Sequence, residues 1–406
     1  MTANFVLRNA RIVLPTEIIL GSVKVEGGRV VDLSSGYSTH GEDLDGDFLM
    51  PGLIEIHTDN LERHLMPRPQ VRWPALAALL GHDAEVAAAG ITTVFDALGI
   101  GDSDAEGLRA SGVQDLLDAL AQARQEGLLR ADHRLHIRCE LPAPNTVELF
   151  EPFAHLAEVN LLSLMDHTPG QRQWSEIAHA RTYFTGKKGW SVEKFERHVA
   201  EAPAAQERFA RPHRTHFLQW AHAHRVPVAS HDDTTPEHVA QALADGITIA
   251  EFPTTLSAAR AARAGAMLIV MGGPNVVRGG SHSGNVAAGE LARHDLLDAL
   301  SSDYVPGSLL LGALRLSETA GWSIPKAINT VSRNPAQALQ LNDRGAIEIG
   351  LRADLIRVRL TAQTPPPKPT QHATQKPSQN VSPMAAPSPS QQPAVRAVWR
   401  AGARVC

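Results

Sequence analysis

Hydrophobic positions change their rhythm twice along this chain. Up to about residue 48, short apolar stretches alternate with polar positions: FVLRNARIV, then IILGSVKVEGGRVVDL, broken at Gly27-Gly28. That pattern predicts short strands joined by tight turns. From about residue 50 the apolar runs are separated by longer helical patterns. ALAALLGHDAEVAAAG predicts a helix stopping at Gly90 before the strand ITTVFDAL, and VQDLLDALAQARQEG predicts one stopping at Gly127 before HRLHIRCE. Strands alternating with helices give a parallel sheet with crossover connections, and roughly 300 residues of this suit a TIM-like (β/α)8 barrel. From about residue 345 the N-terminal style returns in GAIEIGLRADLIRVRL and AVRAVWRAGARVC. The expectation is an α/β chain in which residues 1–48 and 345–406 build one small β domain beside a barrel of residues 49–344.

One segment departs from both rhythms. Residues 361–393 hold 9 of the chain's 27 prolines and are rich in Gln and Ser, a composition that cannot pack a core. They predict a disordered excursion, inserted between paired strands and tolerated because it faces solvent.

Composition narrows the function classes. The chain has 406 residues, 43% hydrophobic and 20% charged, enough for one large core and a smaller appendage. A net charge of -5 without a polybasic run argues against nucleic acid or a membrane surface as partner, so an anionic ligand must be held by local Arg and Lys. Mean hydropathy is -0.15, and no apolar run approaches the roughly 20 residues that span a bilayer. The start, MTANFVLRNARIVL, lacks a secretory pattern, and two cysteines, Cys139 and Cys406, suit a reducing cytoplasm without disulfides. Cys139 reads as a small apolar filler on the strand face opposite Glu140.

The candidate chemistry lies at strand ends. LMPGLIEIHTDN closes on His57 and Asp59, and residues two apart on a strand share a face, so imidazole and carboxylate converge on one point. Such a pair binds zinc or manganese. RLHIRCE ends on Glu140, NLLSLMDH on His167, VPVASHD on His231 with Asp232 next, and LLDALSSD on Asp303. Barrel enzymes gather their chemistry at the C-terminal ends of parallel strands, and five such ends in one chain point to a metal site there.

PGLIEIHTDNLERH, HRLHIRCELP, SLMDHTPGQRQ, ASHDD, AEFPTT, MGGPNVVRGGSHSGN and LSSDYVPGSLL together resemble the amidohydrolase superfamily, and within it the diphosphatases of phosphonate catabolism and the carbon-phosphorus lyase pathway. The likeness runs from about residue 4 to 358 and resumes near 394; the proline-rich insertion is outside the family pattern. The resemblance implies hydrolysis of a ribose 5-triphosphate to a 5-phosphate and diphosphate. Carried over by position, His57 and Asp59 would hold one metal, His167 and His231 a second, and Glu140 would bridge them. Asp303 would bind metal and act as general base. His-x-Asp replaces the superfamily's usual His-x-His, and Glu140 stands where many members carry a carboxylated lysine. One or two divalent ions fit, zinc first, with manganese or iron as alternatives.

A triphosphate also needs positive groups. Arg172 follows His167, and Arg278, Ser281, His282, Ser283 and Asn285 lie in a Gly-rich stretch whose Gly279 and Gly280 let backbone amides approach phosphate. Lys187, beside Lys188, is a further candidate. Arg138 shares a face with Glu140 and is expected to neutralise or orient it. His64 and Arg68 are expected at the mouth, Asp96 and Asp102 as capping residues, and His216, His222 and His224 on a solvated helix. The competing readings are a cyclic-amide hydrolase or deaminase, which needs a neutral pocket, and a non-catalytic interaction barrel, which has no use for a complete ligand set. The partner is thus a small phosphorylated ribose, with homo-oligomerisation open.

Overall fold

The computed structural model describes residues 4–68, 71–101, 112–174, 176–187, 189–281, 284–361 and 391–406, the Lys187 side chain excepted. His282, Ser283, Lys188, Asp102 and residues 362–390 of the proline-rich segment lie outside the described residues, as does that lysine side chain.

Two sheets account for the strands. The first is built from both chain ends: β1 (Phe5–Val13), β2 (Ile18–Glu26), β3 (Arg29–Ser35), β4 (Glu42–Asp43) and β5 (Phe48–Pro51) precede the second sheet in sequence. The second comprises β6 (Leu53–Thr58), β7 (Ile91–Ile100), β8 (Asp132–Glu140), β9 (Val159–Met165), β10 (Val228–His231), β11 (Ile249–Glu251), β12 (Leu268–Gly272) and β13 (Ala299–Ser301). The chain then returns to the first sheet with β14 (Leu355–Leu360), β15 (Pro393–Arg400) and β16 (Ala403–Arg404). There β5 pairs in parallel with β1 and antiparallel with β14, Met50 opposite Ile356, which joins the two ends of the chain. The turn between β2 and β3 falls at Gly27 and Gly28, with φ 55° and 78°, a region glycine enters without the Cβ clash.

The second sheet is parallel in the order β13-β12-β11-β10-β9-β8-β7-β6. It closes into a barrel where Thr58 of β6 bridges Asp303 just beyond β13. Helices cover the outside, Ala75–Ala88 before β7 and Val113–Gln125 before β8 among them. The one before β10 runs from Val192 to His224 and contains Pro203 and Pro212. Ile54, Phe95, Leu161, Ala229, Ile249, Val270 and Ala299, from seven different strands, form one buried cluster that fills the barrel interior. Cys139 is buried in the separate core between barrel and helices, and burial pushes its thiol well above the ordinary range. No helix among the described residues is long and apolar enough to cross a membrane.

Gly52 links the sheets. A Cβ there would lie 2.3 Å from Thr92 Oγ1, so only glycine lets β5 run straight into β6 at this approach.

Candidate metal centre

Strand alternation carries the interior from apolar to polar at one end. Ile249 lies in the apolar filling, so Glu251, two residues on, faces the same interior one step nearer the C-terminal end of β11. Ala229 and His231 on β10, and Leu161 and Ser163 on β9, follow the same rule. β6 does not, because its pairing with β7 shifts register between Glu55 and Thr58. The extra residue lets Ile56 join the apolar filling while its neighbour His57 still reaches the polar layer.

Glu251 is the hub of that layer. It is 1% exposed; Oε1 lies 2.7 Å from His57 Nδ1, while Oε2 lies 2.8 Å from His231 Nδ1 and accepts from Ser163 Oγ at 2.6 Å. Burial alone would raise its pKa, but the charge on His57 and the hydrogen bonds outweigh that and hold it well below the usual carboxylate range. An ionised carboxylate only accepts, so both imidazoles donate from Nδ1 and turn their Nε2 atoms to the barrel mouth. Glu140 treats His167 in the same way: Oε1 accepts from its backbone N–H at 2.9 Å and Oε2 lies 2.5 Å from Nδ1.

The freed Nε2 atoms face two groups of carboxylates. Asp232 Oδ2 lies 3.5 Å from His231 Nε2 and 3.7 Å from His167 Nε2. It is buried and has no hydrogen-bond partner among the described residues. His57 Nε2 lies 3.6 Å from Asp59 Oδ1, and Asp303 completes that group, its ligand atoms within 4.8 Å of the others. Asp232 and Asp303 both turn at left-handed φ, 56° and 55°, a conformation that costs a non-glycine residue about 1 kcal/mol or more. Beneath them the Glu55 carboxylate accepts from His57 N at 2.8 Å and Ser302 N at 2.6 Å, tying β6 to the end of β13. Burial raises Glu55 to about 7, against the pull of those donors.

The field of this pocket favours positive charge. Burial opposes charging of His57, yet Glu251 and Asp59 raise its pKa to about 10; Glu140 and Asp232 likewise raise His167 to about 9 against burial. Imidazole Nε2 atoms beside carboxylate oxygens, fixed from behind through Nδ1, and an orphaned buried oxygen between two of them, make a donor set that fits a divalent cation.

Placement differs from expectation at several residues. Glu140 stands behind His167, on its Nδ1 side, so it belongs to neither group of ligand atoms. Arg138 does not face Glu140; its Nη1 donates to Asp59 Oδ1 at 2.6 Å. Arg172 is turned to the protein, donating to His231 O at 3.0 Å and Asp233 Oδ1 at 2.7 Å, and so props the end of β10. Arg278 is exposed at the end of the short helix Gly273–Arg278, with Ser281 and Asn285 half-buried beyond it. His64 lies 2.8 Å from Glu85 through Nε2. Asp96 is no cap: it is buried outside the barrel wall, 2.7 Å from both His82 Nε2 and His133 Nδ1. Glu251, Asp232 and Glu55 received no role from sequence. Glu251 was findable, since it too ends an apolar strand, in AEFPTT, and Asp232 adjoins a named histidine.

The chain is 45% identical over 355 residues to the alpha-D-ribose 1-methylphosphonate 5-triphosphate diphosphatase of Escherichia coli (strain K12), covering 86% of this chain and 94% of that one. No family model matches. Among solved structures it resembles the dihydropyrimidinase of Brevibacillus agri NCHU1002, with 13% identity, a TM-score of 0.61 and 99% and 95% of the two chains covered. It also resembles a 5-methylcytosine deaminase from Klebsiella pneumoniae, with 13% identity, a TM-score of 0.61 and 99% and 97% covered. An amidohydrolase matches at 15% identity, with a TM-score of 0.57 and 99% and 98% covered. These structural likenesses show the fold alone: an amidohydrolase-type barrel with a separate sheet from the chain ends. With that fold and the 45% identity, the chain belongs to the alpha-D-ribose 1-methylphosphonate 5-triphosphate diphosphatase family.

Proposed function

We propose that the chain hydrolyses alpha-D-ribose 1-methylphosphonate 5-triphosphate to alpha-D-ribose 1-methylphosphonate 5-phosphate and diphosphate, as a cytoplasmic step of phosphonate catabolism. The observation that carries this is the 45% identity extending over 86% of this chain and 94% of the diphosphatase from Escherichia coli. His57, Asp59 and Asp303 would hold one divalent ion, and His167, His231 and Asp232 a second, zinc before manganese or iron. Asp232 joins the two histidines of the second group, and Glu140, expected to bridge the two ions, serves instead by orienting His167. When bound, such cations supply Lewis-acid charge to phosphoryl oxygens and acidify water toward a pKa of about 7.

The side chains supply the rest. Asp303 takes the proton from the attacking water, as a carboxylate within reach of the reacting centre can. Arg278, Ser281 and Asn285, with His282 and Lys187, would hold the phosphates. Arg172 acts instead by fixing the His231 end of β10. A phosphorus NMR time course with the ribose methylphosphonate triphosphate, alongside ATP and a dihydropyrimidine, tests the reading. Release of diphosphate from the first substrate is expected; hydrolysis of the dihydropyrimidine with the triphosphate left intact would overturn it in favour of cyclic-amide chemistry.

A further inference from the structure

Arg138 is an unusual group to find here. It lies on β8 two residues before Glu140, and its side chain is only 11% exposed. Its Nη1 donates to Asp59 Oδ1 at 2.6 Å, while its Nε is buried with no hydrogen-bond partner among the described residues. Of five N–H donors on a rigid fork, one direction is taken by Asp59. An unmade buried donor costs about 1–3 kcal/mol, and beyond the bond to Asp59 this guanidinium forms no other hydrogen bond among the described residues. Charge points the same way. Asp59, which Arg138 touches, belongs to the His57, Asp59 and Asp303 group. A divalent ion on His57, Asp59 and Asp303 would share the Asp59 carboxylate with Arg138, and a phosphate placed beside that group would meet positive charge from both.

We infer that Arg138 is a catalytic residue, its free guanidinium donors binding the phosphoryl oxygens of the substrate beside the His57, Asp59 and Asp303 group. This rests on the phosphoanhydride reading above. It assigns a positive group to the barrel wall beside the chemistry, whereas Arg278 is exposed at the end of a short helix. A planar fork suits phosphate oxygens, and a charge-assisted contact of this kind strengthens as charge moves onto them.

The test compares zinc-loaded wild type with Arg138→Gln and Arg138→Lys. Glutamine can still donate to Asp59 but brings no charge; lysine keeps the charge but loses the fork. We expect kcat/KM for the triphosphate to fall about 100- to 1,000-fold in the Gln variant and about 10-fold or more in the Lys variant. The loss should persist at saturating zinc in both, with zinc occupancy read by competition with a chromogenic chelator. Guanidinium ion added to Arg138→Ala should restore part of the lost turnover. If instead turnover falls in step with zinc and returns with excess zinc, Arg138 is only the support of Asp59 and the inference is wrong. Equal kcat/KM in wild type and Gln variant also overturns it. Wild-type enzyme that releases no diphosphate would bring down the functional reading itself, which the variants alone cannot do.

Discussion

Replacing Glu251 by glutamine should separate the two metal groups. The carboxylate serves three donors: His57 on Oε1, and His231 and Ser163 on Oε2. Glutamine keeps one acceptor oxygen, and that oxygen should stay where two donors meet, at His231 and Ser163. Its NH2 then faces His57 Nδ1 and can be satisfied only if Nδ1 carries a lone pair, which moves the ring proton to Nε2. A protonated Nε2 cannot ligate. Second-layer changes of this kind cost about 10- to 100-fold in metal affinity, or about 1.4–2.8 kcal/mol. The loss should therefore fall on the His57, Asp59 and Asp303 group and spare His167, His231 and Asp232. Isothermal titration of metal-free Glu251→Gln with zinc, beside wild type, reads this directly: one site weakened by the stated factor, the other unchanged. Equal weakening of both sites, or of neither, would refute the tautomer argument.

Three further outcomes follow from the same geometry. Asp303→Asn should lower turnover by about two to four orders of magnitude with little change in triphosphate affinity, measured by steady-state kinetics; an unaltered kcat would remove Asp303 from proton transfer. His133 is buried between Asp96 and Asp83; burial disfavours its charge, but the two carboxylates raise its pKa from 6.5 to about 9. Its contribution of about 3 kcal/mol should thus be complete below pH about 6.5 and vanish as pH rises through about 9, so denaturant midpoints of metal-loaded enzyme should drop between pH 7 and 10, and drop less in Asp96→Asn. The same drop in both proteins would falsify the charge assignment. Deleting residues 363–391 and joining the strands by a short turn should leave turnover within about threefold, because Leu360 already pairs with Pro393 across that segment; loss of activity in a folded deletion variant would give the segment a functional part.

Periodicity made the architecture legible because each step of it is local. The strand FVLRNARIV, the Gly27-Gly28 turn and the helices ending before Gly90 and Gly127 all stand where spacing and glycine placed them. Strand-end histidines and acids likewise came together as His57, Asp59 and Asp303, and as His167 with His231. What sequence could not supply was which partner each polar group would choose. Asp96 looks like a cap beside a strand end, yet it is claimed by His82 from a helix and His133 from the next strand. Arg138 and Glu140 share a face but turn to Asp59 and His167. The bulge that re-aims His57 depends on register with β7, which no pattern within β6 reveals.

Closure of the barrel also sets an order in time. β6 and β13 meet through Thr58 and Asp303, whose hydroxyl and carbonyl are 2.8 Å apart across 245 residues of sequence, and through Glu55 beneath them. That is a contact of very long loop closure, so it forms late, after the intervening strand and helix units have found one another. His57, Asp59 and Asp303 meet at this seam. A chain still short of residue 303 therefore carries most of the donors but cannot assemble this group, and metal captured by it once the seam closes stabilises the finished fold rather than any fragment of it. Assembly and competence arrive in the same event.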